Sequence, residues 1–109
     1  MGSGRGGLAQ LIERCPALDA VFRSTDMVAL GVLIEARKRG LRVPRDLAVI
    51  GVGDLWFAHE TDPPLTTVRI DGTAIGNRAA QFIMSRAEGW GVDRPVVDFG
   101  FMLVRRESA

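Results

Sequence analysis

A strand, a helix and a second strand follow one another within residues 19–51, and this order constrains the fold more than any other feature. Residues 19–23 form a short apolar run, and residues 47–51 form a continuous one that is typical of a parallel strand buried on both faces. Because a strand–helix–strand unit of about thirty residues is a right-handed crossover, we predict an α/β fold with a mostly parallel sheet flanked by helices. The helix is predicted from apolar residues at helical spacing, which are Met27, Leu30, Gly31 and Ile34.

Both ends of this helix are marked in the sequence. Residues 24–26 read Ser-Thr-Asp and supply oxygens that can accept hydrogen bonds from the free amides of a helix start. Gly40 stands where a left-handed residue commonly ends a helix. We interpret the basic run at 37–39 as solvated cations that complement the negative end of the helix dipole.

A shorter amphipathic helix is predicted before this unit. Apolar residues recur at helical spacing from Leu8 to Cys15, and Pro16 marks the end of the helix. We therefore expect the glycine-rich residues 1–7 to be a flexible lead-in and residues 8–109 to form the domain. Cys15 is interpreted as a small buried apolar residue rather than a reactive thiol.

Further elements are expected after the second strand. The pattern predicts a helical turn at 55–58, a β-branched strand at 65–69 and two final strands at 96–99 and 101–104. A helix capped by Asp71 is predicted between them, with an apolar face made of Ile75, Ala79, Phe82 and Ile83.

Composition excludes several classes of protein. The 109 residues predict one domain, and a net charge of +1 is too low for a general polyanion-binding surface. One histidine and one cysteine exclude a structural zinc site, and we expect no metal and no cofactor. The longest apolar stretch, residues 27–34, is too short to cross a membrane, and the first residues lack the apolar core of a secretory signal. We therefore expect a cytoplasmic protein.

Two loops are candidates for binding a small molecule. Ser24, Thr25 and Asp26 follow the first strand, and Gly53 and Asp54 follow the second. Ligands of open α/β sheets bind at the carboxyl ends of the strands, so we expect these two loops to face the same side. Their hydroxyls, carboxylates and free amides suit a polyhydroxylated or anionic ligand. The alternative is that Thr25 or Asp26 only caps the helix.

Enzymatic signatures are weak. Residues 51–53 begin like a dinucleotide fingerprint, but Trp56 stands in the place of the third glycine. His59 beside Glu60 lacks a paired nucleophile, and we interpret it as a surface histidine. Trp56 and Phe57 follow the second candidate loop, and they are expected to pack in the core, stack on a ligand or contact a partner subunit.

Four ordered blocks resemble the carboxyl-terminal regulatory region of LacI/GalR transcription factors. They are AVFRSTDMVALG at 20–31, RGLRVPRDLAVIG at 39–51, PPLTTV at 63–68 and RRES at 105–108. The resemblance implies a periplasmic-binding-protein-like fold of two α/β subdomains with a small effector in the cleft between them. It also implies a homodimer that binds operator DNA through an amino-terminal helix-turn-helix.

The resemblance also assigns roles to residues. The position of Thr25 is often an effector-binding Asn in the family, and that of Gly53 is often an effector-binding Asp. The combination of residues 24–26, 51–55 and 68–72 is similar to gluconate-operon repressors, which implies a sugar acid as effector. In the family, the dimer interface corresponds to the helix at 27–39 and the segment 56–61 of this sequence. The resemblance therefore assigns five residues to a dimer interface: Met27, Leu30, Ile34, Trp56 and Thr61.

By the same resemblance, the chain is expected to be part of a longer regulator. The helix-turn-helix, the hinge and the amino-terminal subdomain are absent from it, so these residues are not expected to bind DNA by themselves. The helix at 73–88 would cross into the other subdomain, which implies that its apolar face meets a partner or is exposed. The rival interpretations are a transport-type sugar-binding protein, a small α/β enzyme and a non-functional remnant.

Overall fold

The computed structural model describes residues 1–91 and 96–109. These residues separate into two compact units, one made of 1–69 with 102–109 and the other of 70–101. The first unit contains α1 (Gly2–Arg14), β1 (Ala20–Phe22), α2 (Asp26–Lys38), β2 (Ala48–Val52), β3 (Thr66–Arg69) and β4 (Met102–Val104). The second contains α3 (Gly72–Ala87).

The four strands form one sheet in the order β1-β2-β3-β4. β1 pairs with β2 and β2 with β3 in parallel, whereas β4 runs antiparallel to β3. The prediction of a mostly parallel α/β sheet is confirmed. The three parallel strands consequently end at one edge of the sheet, which we call the carboxyl-terminal edge.

Helix α2 begins and ends as the sequence predicts. The Oγ1 atom of Thr25 accepts a hydrogen bond from the amide of Val28 at 3.2 Å and caps the first turn. Arg37 and Lys38 lie in the last turn, and Gly40 has a left-handed φ of 73°. The connection from β1 to the parallel strand β2 therefore passes through a helix with both termini satisfied.

Helix α1 begins at Gly2, so the prediction of a flexible lead-in at residues 1–7 is wrong. Its start packs on α2, where a methyl group added to Gly31 would lie 3.1 Å from the Cα of Gly4 and overlap the carbonyl oxygen of Met1. The glycines at this crossing let the two backbones touch. The expectation for Cys15 is also wrong, because the helix ends one residue earlier and leaves this cysteine exposed.

The apolar core lies between the helices and one face of the sheet. Along β2 the burial alternates, with Val49 and Gly51 buried and Ile50 half-buried. The expectation that this strand is buried on both faces is therefore wrong. Phe22, the neighbour of Ile50 in β1, is 65% exposed, because in the described part of the chain nothing comparable to α2 covers that face. The core consists of Leu8, Val21, Ala29, Val32, Leu33, Ala36, Leu47, Val49, Ala58 and Leu65.

A buried carboxylate joins α2 to the sheet. Asp26 is fully buried, accepts a hydrogen bond from the Thr67 hydroxyl at 2.5 Å and another from the amide of Leu55 at 2.8 Å. Gly51 makes room for it, since a side chain there would overlap the carboxylate. One side chain thus connects the helix start, the third strand and the loop after the second strand. We call this arrangement the Asp26 node.

The second unit consists of α3 and the residues after it. Asp71 caps the helix as predicted by accepting a hydrogen bond from the amide of Ala74 at 2.9 Å. No residue of α3 is buried, and two residues of the predicted apolar face, Ile75 and Ile83, are 40% and 69% exposed. A partner that covers this face stays a prediction. Residues 96–99, predicted as a strand, have no strand structure, so only the last of the two predicted strands forms as β4.

Among the residues described, no helix combines the length and the apolar character that a membrane crossing requires.

The contact between α1 and α2 predicts that Gly31→Ala destabilises the protein. The added methyl group must displace the start of α1, and forced overpacking of this kind costs about 1–3 kcal/mol. Gly6→Ala is the matched control, because open space surrounds that helical position and Ala is favoured over Gly in a helix by about 1 kcal/mol. Urea unfolding of both variants measures the difference. Equal midpoints for Gly31→Ala and the unmutated protein would contradict the close crossing.

The Asp26 node predicts a larger cost for Thr67→Val than for other threonine substitutions. Valine preserves the shape of the side chain but leaves the Oδ1 atom of the buried carboxylate without its donor, which costs about 2–3 kcal/mol. Thr73→Val is the control, because Thr73 is exposed on α3, and such surface changes stay within about 0.5 kcal/mol. Thermal unfolding of the two variants is the measurement. A Thr67→Val variant as stable as the control would show that the node contributes nothing.

Candidate effector site

The two predicted binding loops lie at the carboxyl-terminal edge. Phe22 and Ile50 are in register, and the amide of Arg23 donates to the carbonyl of Ile50 at 2.9 Å. The loops that begin at Ser24 and Gly53 consequently leave adjacent parallel strands on the same side. β3 ends there as well, with Arg69 as its last residue. This is the side on which open α/β sheets bind ligands.

The first loop contributes exposed hydroxyl groups. Ser24 and Thr25 are both exposed, and the Oγ1 of Thr25 also caps α2. A hydroxyl that accepts one hydrogen bond still has a proton to donate and a second lone pair. Capping therefore does not prevent Thr25 from contacting a ligand.

Asp26 has a different role from the one that the sequence suggested. Its side chain is fully buried and bonded to Thr67 and to the amide of Leu55. A carboxylate without exposed surface does not contact a ligand directly. It fixes the second loop against the start of α2, so Asp26 is a positioning residue in this structure.

The second loop has an unusual backbone and a paired carboxylate. Gly53 has a φ of 123°, which side chains disfavour, and Asp54 follows it with a φ of 50°. The amide of Asp54 donates to Thr67 Oγ1 at 3.3 Å. The Oδ1 atom of the Asp54 carboxylate accepts a hydrogen bond from Arg106 at 2.8 Å, and its Oδ2 atom accepts one from Arg69 at 2.8 Å. We call Asp54, Arg69 and Arg106 the ion-pair cluster.

The ion-pair cluster keeps Asp54 ionised. Burial raises the pKa of this carboxyl, but the hydrogen bonds from Arg106 and Arg69 outweigh that effect and hold the pKa below its ordinary value. With one carboxylate and two guanidinium groups, the cluster has one surplus positive charge. No role is predicted from the sequence for Arg69 or Arg106. The sequence signals for them are the segment 68–72 and the end of the predicted third strand, which include Arg69, and the RRES block, which includes Arg106.

A second surface lies along α2. A shallow groove of about 140 Å³ is lined by Leu30, Leu33, Ile34, Arg37, Thr61 and Asp62, and it includes two of the predicted dimer residues besides Thr61. Ile34 in this groove is 39% exposed, and Met27 in the first turn of α2 is 42% exposed. Arg37 and Asp62 form an exposed ion pair across the groove at 3.0 Å. The groove therefore combines an apolar floor with a charged rim.

The two aromatic residues after the second loop differ in burial. Phe57 is 8% exposed, whereas Trp56 is 78% exposed and meets the Phe57 ring edge-on at a centroid distance of 5.6 Å. The sequence leaves three alternatives for these residues: packing in the core, stacking on a ligand and contact with a partner subunit. Packing in the core is confirmed for Phe57 and is wrong for Trp56. An exposed indole is free to contact a ligand or a partner chain.

The features that suggested an enzyme remain isolated. His59 is exposed as expected, and its ring nitrogen lies 3.6 Å from a carboxylate oxygen of Glu60. Within residues 1–91 and 96–109, no three His, Cys, Asp or Glu side chains come close enough to hold a metal ion.

Comparison with known sequences identifies the family. A model described as a periplasmic binding protein-like domain matches residues 3–109. The transcriptional regulator GntR of Pseudomonas aeruginosa is 40% identical over 99 residues, which is 91% of this chain and 29% of GntR. The chain thus spans less than a third of the length of this curated relative.

Comparison with solved structures agrees. The transcriptional regulator CelR in complex with cellobiose matches 98% of this chain and 33% of CelR, with a TM-score of 0.90 and 33% identity. The lac repressor dimer bound to operator and the anti-inducer ONPF matches 98% of this chain and 37% of the repressor, with a TM-score of 0.85 and 26% identity.

Fold, sequence and relatives lead to one assignment. The relatives are named as transcriptional regulators rather than enzymes, and their structures share the mostly parallel sheet with the helices around it. The family model covers nearly the whole chain. The protein therefore belongs to the periplasmic-binding-protein-like family of LacI/GalR-type transcriptional regulators.

Proposed function

We propose that this domain senses a sugar acid for a LacI/GalR-type transcriptional repressor. Binding takes place at the carboxyl-terminal edge, where Ser24, Thr25 and Gly53 face the ligand and Asp54 lies beside them. The ion-pair cluster supports this most directly, because it contains two positively charged guanidinium groups and one negatively charged carboxylate. The surplus positive charge favours an anionic ligand, and the hydroxyl groups of the first loop suit a polyhydroxylated one.

The similarity to GntR is consistent with a sugar acid. GntR is 40% identical to this chain over 99 residues, and the sequence combination at 24–26, 51–55 and 68–72 is the one that resembles gluconate-operon repressors. Gly53 replaces the acidic residue that is common in the family, which removes one negative charge from the edge. An anionic effector would otherwise be repelled by that charge.

The second candidate effector is a neutral oligosaccharide. The CelR–cellobiose complex has a TM-score of 0.90 with this chain, and the exposed Trp56 ring could stack on a sugar face. Charge distinguishes the two candidates, because a neutral sugar forms no ion pair with the surplus guanidinium group.

Effector binding is proposed to act on DNA through the rest of the regulator. The relatives are named HTH-type regulators, and this chain matches 29% of GntR. We propose that the helix-turn-helix and a second subdomain lie outside these 109 residues and that the effector selects one arrangement of the two subdomains. Coupling free energies of this kind are about 1–3 kcal/mol. The regulator would act in the cytoplasm, where its operator is.

The regulator is also proposed to be a homodimer, with the groove along α2 as part of the interface. Met27, Leu30, Ile34, Trp56 and Thr61 belong to this surface. The exposure of Met27 and Trp56 and the apolar groove floor support the assignment, since dimer interfaces are more apolar at their centre than other surfaces. The lac repressor, which this chain resembles, is described as a dimer.

Sugar acids are expected to bind the intact regulator more tightly than neutral sugars do. Isothermal titration with gluconate, glucuronate and galactonate, against glucose and cellobiose, measures the difference. A ligand at 100 times its Kd stabilises its protein by about 2.7 kcal/mol, so thermal unfolding gives an independent reading. If the regulator binds cellobiose and none of the three acids, the sugar-acid proposal is wrong and a neutral oligosaccharide is the effector.

The dimer proposal predicts that Ile34→Glu weakens self-association. A carboxylate at the centre of the groove would be buried without a partner in the dimer, and such a change costs about 2–5 kcal/mol. Ala17→Glu is the control, because Ala17 is exposed in the turn before β1. Sedimentation equilibrium of the intact regulator measures the dissociation constants. If Ile34→Glu dimerises as tightly as Ala17→Glu, the interface lies elsewhere.

A further inference from the structure

Arg69 is the most exposed member of the ion-pair cluster. Its side chain is 52% exposed, whereas the side chains of Arg106 and Asp54 are 17% and 12% exposed. Arg69 ends β3 and lies two residues after Thr67, so both side chains point to the same face of the sheet. Thr67 is the residue that binds Asp26 and the amide of Asp54. Arg69 is therefore placed beside the second binding loop and is open to solvent.

The contacts of Arg69 leave part of its guanidinium group unused. Its Nε and Nη2 atoms both contact Asp54 Oδ2, at 2.8 and 2.7 Å. Within the described parts of the chain, the structure gives this side chain no other hydrogen bond. A guanidinium group has five N–H donors in a planar arrangement, and the pair on its two terminal nitrogens can bind a second carboxylate. Asp54 thus fixes the plane of the group while its outer end stays available.

Arg106 cannot offer the same contact. Its Nη2 atom donates to Asp54 at 2.8 Å, and its Nη1 atom donates to the carbonyl of Leu65 at 2.9 Å. It is also mostly buried. Arg106 therefore neutralises Asp54, so that the charge of Arg69 is not cancelled by its own ion pair.

From this arrangement we infer that Arg69 binds the carboxylate of the effector and is the residue that selects sugar acids over neutral sugars. The inference rests on the proposed function, because it names the residue that recognises the anionic part of the effector. Asp54 and Arg106 are positioning residues in this scheme. Ser24 and Thr25 would contact the hydroxyl groups, which a neutral sugar also has.

The test compares gluconate with glucitol, its neutral counterpart, in titrations of the intact regulator and of Arg69→Gln. Loss of a charge-assisted contact weakens binding about 10- to 100-fold, and this loss is expected for gluconate alone, with glucitol unchanged. Arg69→Lys keeps the charge but not the paired donors, so a loss of about 3- to 10-fold is expected for gluconate. Arg45→Gln is the control, because Arg45 is exposed in the turn before β2.

The outcomes separate this inference from the proposed function. If the unmutated regulator binds gluconate and both Arg69 variants bind it as tightly as Arg45→Gln does, Arg69 is only a surface ion pair and the sugar-acid proposal stands. If the unmutated regulator binds none of the sugar acids, the sugar-acid proposal fails and the inference fails with it. Thermal unfolding of each variant identifies those that are folded. Should Arg69→Gln not fold, Arg69→Lys alone decides, since an unchanged gluconate affinity in it overturns the inference.

Discussion

The hydrogen bonds of one buried carboxylate hold together the elements that form the binding edge. Asp26 lies at the start of α2 and binds the hydroxyl of Thr67 in β3 and the amide of Leu55 after β2. A buried charge is costly unless its hydrogen-bonding capacity is used. If the loop or the strand left its position, the carboxylate would be exposed to solvent or would stay buried without a hydrogen-bond partner. Gly51 completes the arrangement, because a side chain at that position would displace the carboxylate.

The same threonine links this node to the charged residues above it. Thr67 also accepts a hydrogen bond from the amide of Asp54, whose carboxylate binds Arg69 and Arg106. The chain thus uses a buried carboxylate to fix the loop and a partly exposed ion pair beside it to position two guanidinium groups. The first arrangement is shielded from solvent, and the second presents N–H donors to it.

Periodicity and capping signals in the sequence were sufficient to predict the fold class, the parallel strands and the limits of α2. The start of α1 was not predictable in this way, because its helix is stabilised by the contact of Gly4 with Gly31, and glycine-rich segments otherwise favour disorder. Thr25, Asp26 and Asp54 were correctly placed at strand ends. Their division into exposed and buried groups depends on contacts with Thr67 and the two arginines, which are distant in sequence and follow no spacing rule.

Hydrogen–deuterium exchange of the intact regulator, with and without saturating gluconate, tests most directly whether the carboxyl-terminal edge is the effector site. Slower exchange is expected in peptides that contain residues 23–28 and 52–57, since these loops contact the ligand and are held by the Asp26 node. The α1 segment, residues 2–14, is expected to change little. Tight gluconate binding with unchanged exchange in both loops, or with protection confined to other segments, would contradict the account.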